Sequence, residues 1–212
     1  MKTKKYVLIT ATVLCVVLCA AVCTACGNNE ATTVTVPYVD DNGVEYTLFK
    51  VTTGGKTEEY VKVTGYSGKT VSAPPDNVVS VYVKDEITIE GKVYPVTIVG
   101  NMAFYRAAVT NVYFGDGIVE VEPFAFAYGE FTSVELPASV KKIGEYAFVN
   151  CNSLRYLQLD AVEPPELGDY AFMFYNDKSN TYEVNGILTV KVPSGAKDTY
   201  LSAWKNYAAI IK

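Results

Sequence analysis

The dipeptide Ala-Phe stands at 103–104, 125–126, 147–148 and 171–172, so its phenylalanines are 22, 22 and 24 residues apart. A period in the twenties means that one small unit is copied along the chain, and that each copy buries its apolar face only by stacking on the next. A short apolar step precedes the dipeptide, as at Val119 and Val121 or at Val140 and Ile143; a polar break and a strand-like run follow it. The runs share one register. Their apolar triplets are Val109, Val112, Phe114; Phe131, Val134, Leu136; Leu154, Leu157, Leu159; and Ile187, Val190, Val192, all with the spacing L-x-x-L-x-L. Val78, Val81 and Val83 repeat that spacing and read as an earlier, degenerate turn.

L-x-x-L-x-L within a repeat of this length is the leucine-rich-repeat pattern, in which each turn of a coil gives one strand and the inward residues of successive turns stack. The step from Val112 to Val134 is 22 residues and from Val134 to Leu157 is 23, but from Leu157 to Val190 it is 33, so the last turn carries an insertion, expected as a polar loop from Tyr175 to Asn185. Phe104, Phe126, Phe148 and Phe172 are expected to stack as an aromatic spine inside the coil, with each alanine letting the backbone pass close. Near the C-terminus, Tyr200, Leu201 and Trp204 form an apolar stripe at helical spacing, which predicts a helix capped by Ser194 and running through Asn206. Upstream the pattern is β: two alternating runs around Gly54-Gly55 predict a hairpin across Val44 to Tyr66. Further strands are expected at Val78 to Val83, Ile87 to Ile89 and Val93 to Val99, with a tight turn at Glu90-Gly91-Lys92. Asp40-Asp41-Asn42-Gly43 lacks the alternating ligands and distal glutamate of a calcium loop and reads as a turn.

The segment SVELPASVKKIGEYAFVNCNSLRYLQL, with its Leu-Pro, Ile-Gly, Ala-Phe and Asn-Cys punctuation, resembles the BspA-like leucine-rich repeats of bacterial surface proteins. The resemblance runs from about Val93 to Lys212, and the ending LTVKVPSGAKDTYLSAWKNYAAII is similar to that family's last strand and terminal helix. Pro123 stands where another repeat has the glycine of Ile-Gly, and a single repeat keeps the cysteine. The expected fold is a β-rich right-handed solenoid of leucine-rich repeats with short helical turns, a β-hairpin N-terminal cap and a C-terminal capping helix. The resemblance implies a non-enzymatic surface protein that binds host proteins, other cells or glycans.

Lys2, Lys4 and Lys5 followed by the apolar run from Tyr6 to Ala25 have the order of an export signal. The following CTACGNNE resembles a bacterial lipoprotein signal, in which a cysteine is acylated and becomes the new N-terminus. Cys26 is the expected residue and Cys23 the alternative; an uncleaved membrane anchor is the other reading, since about 20 apolar residues suffice to span. The expected organisation is therefore signal at 1–25, tether at 26–37, β-rich N-terminal cap region at 38–92, and repeats with the terminal helix at 93–212. The location that follows is the cell envelope or outer surface, anchored to the membrane by lipid.

The chain has no histidine, which removes His-based triads and most zinc sites. Its formal charge is −5, and −8 without the three lysines of the first 25 residues, a balance that repels phosphate backbones and excludes nucleic acid. Cys151 is the one cysteine beyond the signal region; it can form no internal disulfide and reads as a small buried apolar group. Asp85, Glu86 and Glu135 supply carboxylates that a glycosidase could use, but a solvated surface explains them as well, so no catalytic residue, cofactor or metal is expected. The alternatives to a binding protein are a glycan-degrading enzyme or its polysaccharide-capturing accessory subunit, and a structural spacer. A monomer is expected.

Residues between the inward positions of each strand point outward and line up across turns. One such column reads Tyr82, Tyr113, Glu135, Gln158, Lys191; its neighbour reads Ser80, Asn111, Ser133, Tyr156, Thr189. Tyr82, Tyr113, Glu135, Tyr156, Gln158 and Lys191 are the candidate ligand-binding residues, because exposed tyrosines give rigid contact area at small entropic cost. The signal reading makes its own prediction: mass spectrometry of membrane-extracted protein should show a diacylglyceryl group on Cys26, and Cys26→Ala should release the chain from the membrane. An intact Met1 without lipid contradicts it.

Overall fold

The computed structural model describes residues 32–68 and 78–212. The export signal, Cys23 and Cys26 lie outside those residues.

The chain opens with three antiparallel strands, β1 (Thr32–Val39), β2 (Val44–Thr53) and β3 (Lys56–Tyr66). Gly54 and Gly55 both have positive φ, +58° and +80°, the two-residue turn whose twist suits a right-twisted hairpin. Residues 32–37, expected as part of a tether, are a strand instead: Thr32 pairs with Thr52 and Val39 with Glu45. Their Thr-rich, small-residue composition reads as linker, but TTVTVPYV is also a run of β-branched residues, and a free edge of β2 lies beside it. The turn at Asp40 is fixed by its buried carboxylate. Asp40 Oδ1 accepts from the N–H groups of Asn42 and Val44, both at 2.9 Å, and Oδ2 accepts from the Tyr46 hydroxyl at 3.2 Å.

Next come β4 (Ser80–Val83), β5 (Glu86–Ile89) and β6 (Lys92–Val99). β5 and β6 form a hairpin whose turn is Glu90 and Gly91 alone, φ +53° and +80°, while Lys92 already pairs with Ile89. The repeats then add β7 (Asn111–Phe114), β8 (Glu120–Val121), β9 (Ser133–Leu136), β10 (Lys142–Ile143), β11 (Tyr156–Leu159) and β12 (Glu166–Leu167). The last turn adds β13 (Met173–Asn176), β14 (Thr181–Val184) and β15 (Thr189–Lys191). Two parallel sheets result. In one, β4, β7, β9, β11 and β15 lie side by side; in the other, β6, β8, β10 and β12 continue the β1–β2–β3 sheet through parallel pairing of β3 with β6. The repeats thus give four-residue strands β4, β7, β9 and β11 and the three-residue β15 to the first sheet, and two-residue strands β8, β10 and β12 to the second.

The four phenylalanines stack between the sheets as the period predicts. Phe104 and Phe126 lie 5.3 Å apart and 1° from parallel, Phe126 and Phe148 4.7 Å and 3°, Phe148 and Phe172 5.7 Å and 32°. All four are buried, and Trp204 and Tyr207 pack on Phe172 at 5.7 and 5.3 Å. The backbone beside them is bonded turn to turn: Phe104 N–H donates to Ala125 C=O at 2.7 Å, Phe126 to Ala147 at 2.9 Å, Phe148 to Ala171 at 2.9 Å. The residue before each alanine, Met102, Phe124, Tyr146 and Tyr170, lies in the left-handed region, with φ of 55° to 58°.

Several expectations are corrected. Strand pairing places Val121 opposite Ile143, so Glu122 and not Pro123 occupies the glycine position of Gly144. A Cβ on Gly144 would lie 2.6 Å from Pro123 N, and one on Gly168 2.3 Å from Glu145 N; these two positions need glycine because successive turns touch there. Ile187 and Val78 are exposed, 49 % and 59 %, and their neighbours Leu188 and Val79 turn inward. In the last turn Asn185 sets the phase: its Nδ2 donates to Cys151 C=O and its own C=O accepts from Leu188 N–H, so Leu188, Val190 and Val192 point in by simple alternation. The insertion is a hairpin, β13 paired with β14, rather than a loop. Helix α1 (Lys197–Ala203) begins after Ala196 with no side-chain cap, because Gly195 at φ +87° separates Ser194 from it. It ends at Trp204 rather than Asn206; the indole Nε1 donates to Pro165 C=O at 3.0 Å, and a 3-10 turn, Lys205–Ile210, follows.

Cys151 is 1 % exposed, donates to Phe126 C=O at 3.0 Å, and is the only free cysteine among the described residues. Burial pushes its thiol from 9.0 up to about 12, and burial likewise raises the Tyr200 phenol from 10.0 to about 12.

Two predictions follow from this core. Phe126→Ala should lower stability by about 3–5 kcal/mol, the usual penalty for deleting a large buried aromatic, read by denaturant unfolding. A loss near zero would contradict a packed spine. Raised folded-state pKa values stabilise the fold only while the unfolded groups are also protonated, so stability should hold below pH 9 and fall from pH 9 toward 12. Cys151→Ala should flatten that slope over the same range; an unaltered slope counts against ionisation of this thiol.

Candidate binding surface

The five strands of the parallel sheet carry the two outward columns in the register that the sequence spacing implies. Tyr82 pairs with Tyr113, Tyr113 with Glu135, Glu135 with Gln158, and Gln158 with Lys191. The second column is likewise aligned, from Ser80 through Asn111, Ser133 and Tyr156 to Thr189. The inward neighbours Val81, Val112, Val134, Leu157 and Val190 are buried, so the columns rest on a packed floor.

Side-chain geometry divides the six candidates into two groups. At the β4 end, Tyr82 is 61 % exposed and stacks on the half-buried Tyr113, ring centroids 4.9 Å apart and planes 18° apart. At the β15 end, Lys191 places its ammonium 5.0 Å from the centroid of Tyr156, which is 51 % exposed. Tyr156 therefore belongs to a cation–aromatic pair across β11 and β15, contacts of roughly 0.5–1 kcal/mol at exposed sites. Glu135 on β9 stands exposed between the groups, and Gln158 Nε2 is engaged with Asp160 Oδ1 at 3.0 Å. On the second column Asn111 Nδ2 donates to Ser80 Oγ at 3.2 Å.

A second aromatic row escapes the triplet analysis. Phe124, Tyr146 and Tyr170, each the residue before Ala-Phe, stack at 5.0 Å per step with planes 15° and 6° apart. Tyr182 of the inserted hairpin packs across Tyr146 and Tyr170 at 5.7 and 5.0 Å, and Tyr175 meets Tyr182 at 5.3 Å. The signal was present in the sequence: the position before Ala-Phe is aromatic in three successive repeats.

Nothing in the geometry assembles catalytic machinery from the carboxylates considered above. A cleft of about 420 Å³ lies between Leu167–Asp169 and Ser202–Tyr207; Asp169 is its single carboxylate, and Asp85, Glu86 and Glu135 are not on its walls. Among the described residues no cluster of three or more cysteine, aspartate or glutamate side chains is placed to hold a metal ion, and no helix is long and apolar enough to cross a membrane.

Three solved structures are similar to the chain over about three quarters of its length. A leucine-rich cell surface protein of Faecalibacterium prausnitzii A2-165 is 22 % identical with a TM-score of 0.49, covering 76 % of this chain and 37 % of its own. The pneumococcal vaccine antigen PcpA is 17 % identical with a TM-score of 0.40, covering 78 % and 52 %, and a leucine-rich repeat protein of Bacteroides ovatus is 16 % identical with a TM-score of 0.25, covering 77 % and 46 %. The chain thus spans about half or less of each of these proteins. No curated protein sequence matches it. The BspA type leucine-rich repeat region matches residues 85–196 in six copies, more than half of the sequence. With the tandem phenylalanines and register-matched parallel strands in place, the chain is a member of the BspA-type leucine-rich repeat family.

Proposed function

We propose that the protein is a non-enzymatic binding or adhesion lipoprotein of the cell surface, which presents the outward columns of its parallel sheet to a protein or glycan ligand. Membership of the BspA-type leucine-rich repeat family supports a binding role. The observation that carries the reading is the Tyr82–Tyr113 stack: two tyrosines held rigid by strands whose opposite faces are buried lose little entropy on binding. Tyr156 with Lys191, and Glu135 between, give the same surface an aromatic, a cation and a carboxylate within three neighbouring strands. The architecture inferred with it is a right-handed solenoid, its ends closed by the N-terminal β-strands and by α1, and anchored through an acylated Cys26. The working unit is a monomer without cofactor.

The test is a binding panel of host-surface proteins, bacterial cells and glycans against the domain without its signal. One class should be retained, and the double variant Tyr113→Ala, Tyr156→Ala should weaken it by about tenfold or more while the circular dichroism and melting temperature stay unchanged. Unchanged affinity places the contact elsewhere; turnover of a polysaccharide overturns the non-enzymatic reading; failure to retain anything favours a spacer.

A further inference from the structure

The row formed by Tyr146, Tyr170, Tyr182 and Tyr175 differs in its charge surroundings from the exposed Tyr105, Tyr128 and Tyr156. There the chain supplies its own cations: the Arg106 guanidinium lies 5.4 and 5.7 Å from the rings of Tyr105 and Tyr128, and Lys191 lies over Tyr156. No cation lies over Tyr146, Tyr170, Tyr175 or Tyr182 among the described residues. Their chain neighbours are carboxylates, Glu145 before Tyr146 and Asp169 before Tyr170, both exposed and both without an ion pair among the described residues. Burial first, then the neighbouring Tyr182 and the Glu145 charge, holds the Tyr146 phenol above its ordinary value. The Tyr146, Tyr170 and Tyr182 hydroxyls make no hydrogen bond to protein among the described residues, whereas Tyr175 donates to Asn180 Oδ1 at 2.5 Å.

Two geometric facts select the occupant. Tyr146 and Tyr170 are 6° from parallel at 5.0 Å, so the two rings shield part of each other's facing surfaces, and Tyr182 packs across both. A neutral sugar stacks on open aromatic faces, and few are open here; anionic polymers are repelled by Glu145 and Asp169. A guanidinium or ammonium on an alkyl stem satisfies both features, because the stem packs on ring edges while the head reaches a carboxylate. The carboxylates sit at equivalent positions of neighbouring repeats, each next to a ring of the 5.0 Å stack, so they offer two anchors along one line.

We propose that this surface, built from two repeats and the inserted hairpin, docks an extended arginine- or lysine-bearing segment of a partner protein. The inference rests on the reading of the chain as a binding protein, but it uses a different part of each repeat: Tyr146 follows β10, whereas Tyr156 lies on β11.

The experiment measures fluorescence anisotropy of a labelled arginine-glycine-serine repeat peptide with the whole domain, beside its glutamate counterpart and a neutral hexasaccharide. The arginine peptide should bind, and binding should weaken as salt rises. Tyr146→Ala with Tyr170→Ala should weaken it by about tenfold or more. Should that variant fold poorly, Glu145→Gln with Asp169→Asn keeps every ring and should also weaken binding, whereas Glu86→Gln with Glu130→Gln removes the same charge elsewhere and should not. Absence of peptide binding, equal binding to all variants, or preference for the hexasaccharide overturns the proposal. Loss of the peptide only with Tyr113→Ala and Tyr156→Ala overturns it too, while leaving the sheet surface standing as the binding site; peptide binding that survives that pair but not the Tyr146 pair supports it.

Discussion

Each turn of this protein is fastened to the next by a backbone bond at the Ala-Phe position, and nearly everything else in the repeats is arranged around it. Phe126 N–H to Ala147 C=O and Phe148 N–H to Ala171 C=O are members of one column, and the rings of the same residues stack along it. Beside these bonds the backbone is left-handed at Phe124, Tyr146 and Tyr170, a conformation that costs bulky side chains on the order of 1–3 kcal/mol each. A single net hydrogen bond, about 1 kcal/mol, does not offset that. Burial of a phenylalanine at each step, roughly 1.5–3 kcal/mol, does, so the aromatic core is what holds the backbone in its strained path.

The same constraint explains the punctuation around it. Alanine precedes each spine phenylalanine because all four alanines are buried against neighbouring turns. Gly144 and Gly168 are required where the turns touch, while in the preceding repeat Glu122 takes that position and turns its carboxylate to Lys62 of β3 and to the Asn101 N–H. A break in the glycine column thus adds a side-chain link between the N-terminal sheet and the repeats to the pairing of β3 with β6. The Lys62 ammonium lies in addition 5.4 and 5.7 Å from the rings of Phe49 and Tyr60, so the joint is both ionic and aromatic.

How much of this was legible before the structure depended on whether the governing interaction was periodic. The spine, the strand register and the two outward columns follow from spacing alone, because identical turns repeat the same contacts. What failed was set by single contacts with no period. Asn185 bonded to Cys151 C=O shifts Leu188 inward in place of Ile187, and Gly195 in left-handed conformation takes Ser194 out of capping position. The strand at Thr32–Val39 is invisible as a core element because its pairing partner, not its own burial, makes it a strand. Tyr146 and Tyr170 were periodic and could have been found; the inward triplets drew the reading to the other strand of each repeat.

Because the junctions at Phe104–Ala125, Phe126–Ala147 and Phe148–Ala171 use the same donor, the same acceptor and the same ring, a turn does not encode at this position which neighbour it has. Duplicating a unit of 22 residues would therefore present its neighbours with the surfaces they already meet, and the array can lengthen or shorten in evolution without redesign of the turns on either side. The hairpin Met173–Val184 shows the complementary freedom: the step from Leu157 to Val190 is 33 residues against 22 and 23 before it, yet the two still pair, so new surface is added outside the stack and selection can act on it independently of the fold.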